Sequence, residues 1–198
     1  MLDSIPDSTA GPRDRVLAAA LELFAHRGYF STSVPDIVRA SGVSTGSVYH
    51  HFGDKEGIAR TLYDSVIERM EQALEAIRER HPDTASRCRS MIELLFDIAE
   101  HDPDLMSFML HARHREFLPA ITPVCSSRPF QLMRGVVAEG MRRGEVRRMD
   151  ETVAAVSVFG GALRLIQMRL DGALDRPLND FLDDTWDCAW RAIASDAA

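Results

Sequence analysis

Lysine is almost missing from this chain of 198 residues: it occurs once, at position 55, and the other basic residues are all arginine. So one-sided a choice reflects the coding bias of a genome more than a design for charge. Positive charge is scarce altogether, with 23 basic residues against 30 acidic ones. Up to Lys55 the balance is five basic to six acidic, so any polyanion must be met by local placement of arginine and helix N-termini rather than by a global field. Cysteine is equally thin. Cys88, Cys125 and Cys188 are an odd set without CxxC or zinc spacing, which excludes a disulfide scaffold and suits reduced thiols in a cytoplasm. No stretch reads as the eighteen or so apolar residues of a membrane span, and the acidic, turn-prone start MLDSIPDSTAGPRD has no apolar core of a signal peptide. A soluble, cytoplasmic protein is expected, with residues 1–11 a disordered tail. Alternating strand patterns are missing too, and with 45% hydrophobic residues the chain can bury a sizeable helical core.

Ser33 to Lys55, SVPDIVRASGVSTGSVYHHFGDK, carries two short helical patterns around a glycine. Ser33 and Asp36 form a capping box, Pro35 sits in the first turn, and Ile37, Val38 and Ala40 supply an inward face. Gly42 can take the left-handed turn, and Val43 tucks between the helices. Ser44 then caps a second helix whose Val48 and Phe52, four apart, face inward. Thr45, Gly46, Ser47, Tyr49 and His50 lie on or near the other side. This is a helix-turn-helix. Hydroxyls can bond base edges or phosphates, Tyr49 can reach a phosphate, and Gly46 allows close approach to a major groove. Lys55 begins the next helix, where it is placed to meet a phosphate beside the positive helix end.

Thr32-Ser33-Val34-x-Asp36-Ile37, then Ala40-x-Gly42-Val43-Ser44-x-Gly46-x-Val48-Tyr49-x-His51-Phe52-x-x-Lys55-Glu56, resembles the DNA-binding signature of the TetR/AcrR family of transcriptional regulators. The resemblance extends upstream through the stripe Val16, Ala20, Leu23 and Phe24 to Gly28 and covers about residues 12 to 60. It implies an all-α protein: a three-helix DNA-binding domain over 12–55, then an effector-binding and dimerisation domain over 56–198. It also implies that Thr32, Tyr49, His51 and Lys55 touch phosphates or orient the reading helix, while Thr45, Ser47 and His50 approach bases. The expected partners are double-stranded DNA, a small lipophilic effector and a second copy of the chain, with no cofactor, no metal and no membrane.

Beyond the motif, amphipathic helices follow one another between breakers, nine in all. Ile58, Leu62, Val66, Met70, Leu74 and Ile77 stripe one long helix from Asp54 to Arg80. Pro82, Pro103, a proline-rich crossing from Pro119 to Pro129, Asp150 and Pro177 introduce the rest. By resemblance the middle helices surround a ligand cavity. Met91, Leu95, Phe96, Met106, Phe108, Met109, Phe117, Phe130, Met133, Phe159 and Leu163 are its candidate lining, with His111, and also Arg113, His114 and Glu116, as polar anchors; plain core packing is the alternative for each. Gly160 and Gly161 sit in mid-helix at a cost of about 1 kcal/mol each relative to alanine. Close packing is the natural reason. The resemblance places it in a four-helix dimer interface with Trp186 and Trp190, and packing within one subunit is the alternative.

Three other readings compete. GVSTG at 42–46 matches a hydrolase nucleophile elbow but lacks the strand that must precede it. His111 and His114 with Glu116 could share a metal, though they sit among arginines and fall short of four ligands. Cys125 beside Arg128 could sense redox state. A DNA-binding protein that recruits another protein, rather than sensing a ligand, is the main alternative within the regulator reading.

Overall fold

A computed structural model describes residues 11–111, 114–118 and 127–195. Among these the chain forms nine α-helices of eight residues or more: α1 Pro12–Arg27, α2 Val34–Ser41, α3 Thr45–Phe52, α4 Lys55–Arg80, α5 Thr84–His101, α6 Pro103–His111, α7 Arg128–Arg143, α8 Glu151–Leu170 and α9 Leu182–Ile193. A single helical turn, His114–Phe117, follows α6, and a 3-10 turn, Leu178–Phe181, leads into α9. The described residues contain no strand, only an isolated antiparallel bridge between Val146 and Ala194. The fold is all-α, with an N-terminal three-helix unit bearing the helix-turn-helix.

The contacts divide the chain into two compact units, one made of residues 2–69 with 104–124 and the other of residues 70–103 with 125–198. In the first, α1 packs on α2 and α3. Seven of its side chains, Val16 to Phe24, are buried, far more than a narrow stripe, because two helices cover it. Helix α2 begins with the expected capping box, Ser33 N–H donating to Asp36 Oδ2 at 3.0 Å and Asp36 N–H to Ser33 Oγ at 3.3 Å. It ends at Gly42, whose φ of 64° is left-handed and whose N–H closes on the Val38 carbonyl. The inward register differs from expectation. Ala40 is exposed and Ser41 is buried four residues after Ile37, with its hydroxyl taking the Val43 N–H at 3.3 Å. A polar residue thus holds an inward site because a backbone donor waits there.

In the second unit, α5 packs against α7 and α8, and α8 against α9. Asp83 caps α5 by accepting from Ser86 N–H at 2.8 Å. Gly140 on α7 lies so close to Thr84 that an added Cβ would stand 2.7 Å from its side chain, so a glycine there leaves the room that the Thr84 side chain fills. Glu145 locks the same corner, accepting the Thr84 N–H at 2.7 Å and pairing with Arg143 at 2.8 Å. Glu100 accepts from Arg169 Nε and Nη2, at 2.9 and 3.2 Å, and from Leu178 N–H at 2.8 Å. Those bonds hold the Glu100 carboxyl below its usual range.

Two further expectations need correction. The irregular crossing does not extend to Pro129: α7 has already begun at Arg128, with Pro129 in the first turn where it forfeits no helix bond. And one helix does reach the length and hydropathy of a membrane span. It is α8, with mean hydropathy 1.4 over its apolar window, of which 33% is buried. Its inner residues Ala154, Ala155, Val158, Phe159, Ala162 and Ile166 form core, while Val153 and Val156 are more than half exposed. That outer face also carries Arg164.

Candidate nucleic-acid interface

Helix α3 divides its residues as its period dictates. Val48 and Phe52 are 2% and 8% exposed, which anchors the helix by its inner face. Thr45, Gly46, Tyr49, His50 and His51 are exposed and Ser47 is partly so. Ser44 caps the helix by accepting Ser47 N–H at 3.3 Å. Side chains able to bond base edges or phosphates therefore share one outward surface with the free N–H groups of a helix start. Tyr49 keeps half its surface, and the His50 and His51 rings lie 5.3 Å apart. On α2, Arg39 is held 3.5 Å from Asp36, whose carboxyl is kept below its usual range by hydrogen bonds from Ser33.

Thr32 and Lys55 both have inward partners, which fits the orienting role of the two open to them. Thr32 is 1% exposed, and its hydroxyl donates inward to the Gly28 carbonyl at 2.9 Å, with the Leu23 carbonyl at 3.3 Å. That side chain stitches the end of α1 to the following loop instead of facing a phosphate. Lys55 does not reach outward either. Its ammonium donates to the Tyr29 carbonyl at 3.0 Å and the Thr32 carbonyl at 2.9 Å, and it lies 4.1 Å from the centre of the Tyr29 ring. Lost hydration pulls its pKa down. The lysine ties the loop between α1 and α2 to the start of α4.

Gly57 places that lysine and was not singled out from the sequence. A Cβ there would stand 1.9 Å from the Phe52 carbonyl oxygen, so only glycine lets α4 begin this close to the end of α3. Its N–H is taken by Asp54 Oδ1 at 2.7 Å, completing the cap. A glycine three residues into a helix was the available signal. Phe30 was missed as well. It is 66% exposed and edges onto Tyr29 and Phe117, with ring centres 5.3 and 6.3 Å away.

The proposed effector residues fall into both compact units. Met91, Leu95, Phe96, Met133 and Phe159 are buried in one, with Phe130 and Leu163 half-buried; Met106, Phe108 and Met109 are buried in the other. Phe108 stacks on Phe24 of α1 at 6.3 Å and meets the His114 ring edge-on at 4.7 Å, so it is core of the unit that carries the reading helix. The His111 side chain, Arg113 and Cys125 lie outside the described residues. Cys88 is buried, which pushes its thiol up to about 12 and makes it inert, while Cys188 is exposed. Among the described residues no group of three or more His, Cys, Asp and Glu side chains gathers as for a metal. Of the suggested dimer residues, Gly161 is exposed, Gly160 is half-buried, and Trp186 and Trp190 are half-buried and stacked at 5.3 Å. A Cβ on Gly161 would meet nothing within 4 Å, so no contact among the described residues accounts for that glycine.

A helix-turn-helix on a three-helix unit followed by further helices defines the class: an all-helical protein with a DNA-reading head. Residues 16–62 match the family model of bacterial regulatory proteins, tetR family. The chain is similar to the transcriptional regulator HbdR of Aromatoleum sp. (strain CIB), 37% identical over 62 residues, which are 31% of this chain but 27% of that protein's own length. It is 26% identical over 153 residues to the fatty acid metabolism regulator protein of Bacillus subtilis (strain 168), covering 74% of this chain and 77% of that one. Its fold is that of the Bacillus subtilis regulator FadR solved with stearoyl-CoA, at TM-score 0.74 and 21% identity over 88% of this chain and 96% of that one. Over residues 16–62 the chain is similar to the tetR family of bacterial regulatory proteins, and beyond them the likeness is one of fold.

Proposed function

We propose that the protein is a homodimeric transcriptional repressor of the cytoplasm that binds a palindromic operator and leaves it when a small lipophilic molecule binds. One observation carries this reading: the outward face of α3 gathers Thr45, Gly46, Ser47, Tyr49, His50 and His51, while Val48 and Phe52 fix the helix from behind. Thr45, Ser47 and His50 approach bases. Tyr49, His51 and the N-terminal N–H groups of α2 and α3 meet phosphates, and Thr32 and Lys55 shape the head from within.

A second copy brings two heads to half-sites about 34–36 Å apart, one helical turn. The apolar outer face of α8, with Val153 and Val156 exposed and Gly161 open, supports pairing through α8 and α9. Stearoyl-CoA in the Bacillus subtilis structure and the Met and Phe residues of the middle helices support a lipophilic effector. Ligand and DNA then oppose each other through one coupling energy, so each weakens the other by the same factor.

Selecting bound fragments from the source genome and footprinting them tests the proposal. Two protected half-sites in register, lost on replacing His50 and Ser47, are expected. Protection of a single half-site, or binding without sequence preference, overturns it.

A further inference from the structure

His114 is out of keeping with its surroundings. The residue is 5% exposed, its ring lies 4.9 Å from that of Tyr63, 4.7 Å from that of Phe108 and 5.7 Å from that of Phe117, and its Nε2 has no hydrogen-bond partner among the described residues. All four residues belong to one compact unit. A phenylalanine would fill this aromatic box without leaving a polar atom bare, and an orphaned buried nitrogen destabilises the fold that holds it. Burial lowers the imidazole pKa to about 4, so the ring is neutral at physiological pH and offers one nitrogen to an uncharged partner.

We propose that His114 is the polar anchor of the effector, its Nε2 pairing with an uncharged hydroxyl or carbonyl oxygen at the end of an apolar molecule whose body lies against the rings of Tyr63, Phe108 and Phe117. The proposal deepens the lipophilic-effector reading and rests on it. A carboxylate is excluded by the same apolar walls, because it would have to lose its water and pull a proton onto the imidazole in one step. The anchor also stands where it can be felt. Phe117, in the same helical turn, stacks on Tyr29 at 4.1 Å, and the Tyr29 carbonyl is one of the two that hold Lys55. An occupant at His114 therefore presses on the ring that braces the loop before α2.

The test uses the full-length protein and three probes with one tail and different heads: 1-decanol, 2-decanone and decanoate. Titration calorimetry on wild type should show decanol or decanone at least about tenfold tighter than decanoate. His114→Phe should weaken the favoured probe about tenfold, and His114→Gln, which keeps a polar head, should recover part of that loss. His114→Phe should also melt roughly 2–4 °C higher, since the orphaned nitrogen is gone. Decanoate binding as tightly as decanol, no probe binding wild type, or equal decanol affinity in wild type and both variants overturns the anchor. A lower melting temperature for His114→Phe, with His114→Gln at wild-type stability, makes the imidazole a structural group and overturns it too. Operator binding is measured separately on wild type: its absence counts against the regulator reading, whereas intact operator binding with unchanged probe affinities counts against the anchor alone.

Discussion

Replacing Lys55 by methionine keeps the aliphatic stem and removes the ammonium, which in this structure bridges two loop carbonyls and a ring. A hydrogen bond to a charged group is worth about 1.5–3 kcal/mol when fully formed away from water. Lys55 is only partly buried and both carbonyls can be rehydrated, so about 1–2 kcal/mol is expected for the pair, with roughly 0.5–1 kcal/mol from the cation over Tyr29. A total near 2 kcal/mol lowers the melting temperature by roughly 4–8 °C for a chain of this size. Operator affinity should fall as well, because the loop from Tyr29 to Thr32 leads directly into the capped start of α2. The decisive quantity is the salt dependence. A lysine bound to a phosphate releases a counterion, and losing it reduces the slope of log K against log salt by about 0.9. A lysine that acts as an internal tether leaves the slope unchanged while the whole line drops. Thermal denaturation, with fluorescence anisotropy at four salt concentrations, separates the cases. An unchanged melting temperature with a slope reduced by about one ion would refute the tether and return Lys55 to the phosphates.

Replacing Ser47 or His50 by alanine should change preference at one operator base by roughly 1–3 kcal/mol, read by competition with single-base variants; equal loss at every position would assign that side chain to the phosphates. Gly161→Arg places a bulky cation where the subunit itself leaves open space, so sedimentation should show a folded monomer that fails on a two-half-site operator, and a persistent dimer would remove α8 from the interface. His114 titrates at about 4 in the fold against 6.5 unfolded, so the unfolded chain binds the proton first. Its contribution is intact above pH 6.5 and is lost as pH falls toward 4, at up to about 1 kcal/mol per unit; His114→Phe should flatten the melting curves between pH 6.5 and 5, and an unflattened profile would show that the ring is not desolvated.

The reading head was legible because its punctuation is local. Ser33 with Asp36, Gly42, Ser44 with Ser47, and Val48 with Phe52 interact across two to four residues, and each pair sits where the spacing placed it. The long stripe of α4 was legible for the same reason, and its six expected members, Ile58 to Ile77, are all buried. What escaped depends on partners distant in sequence. Thr32 and Lys55 looked free because the carbonyls that satisfy them come from Leu23 to Thr32, up to 26 residues from Lys55. Phe108 read as apolar from its type and helical position alone, and its stacking on Phe24, some eighty positions earlier, comes from the fold. No helical period carries that information. Met and Phe stripes mark a side as apolar without saying what will cover it, and this is why the effector residues divide between two compact units.

Having one lysine gives this molecule a built-in chemical probe. Apart from the amine at the chain terminus, Lys55 is the protein's sole primary amine, and an acylating reagent attacks an amine only when it is unprotonated and sterically free. While the ammonium is clamped by Tyr29 and Thr32 it should resist labelling, so its acylation rate counts how often the clamp opens. Mass spectrometry can follow that rate on unmodified protein, without a dye or an introduced cysteine. Operator DNA should slow it by holding the loop in its reading shape. An apolar ligand that shifts Phe117 should speed it, giving the two opposed states a readout from one atom.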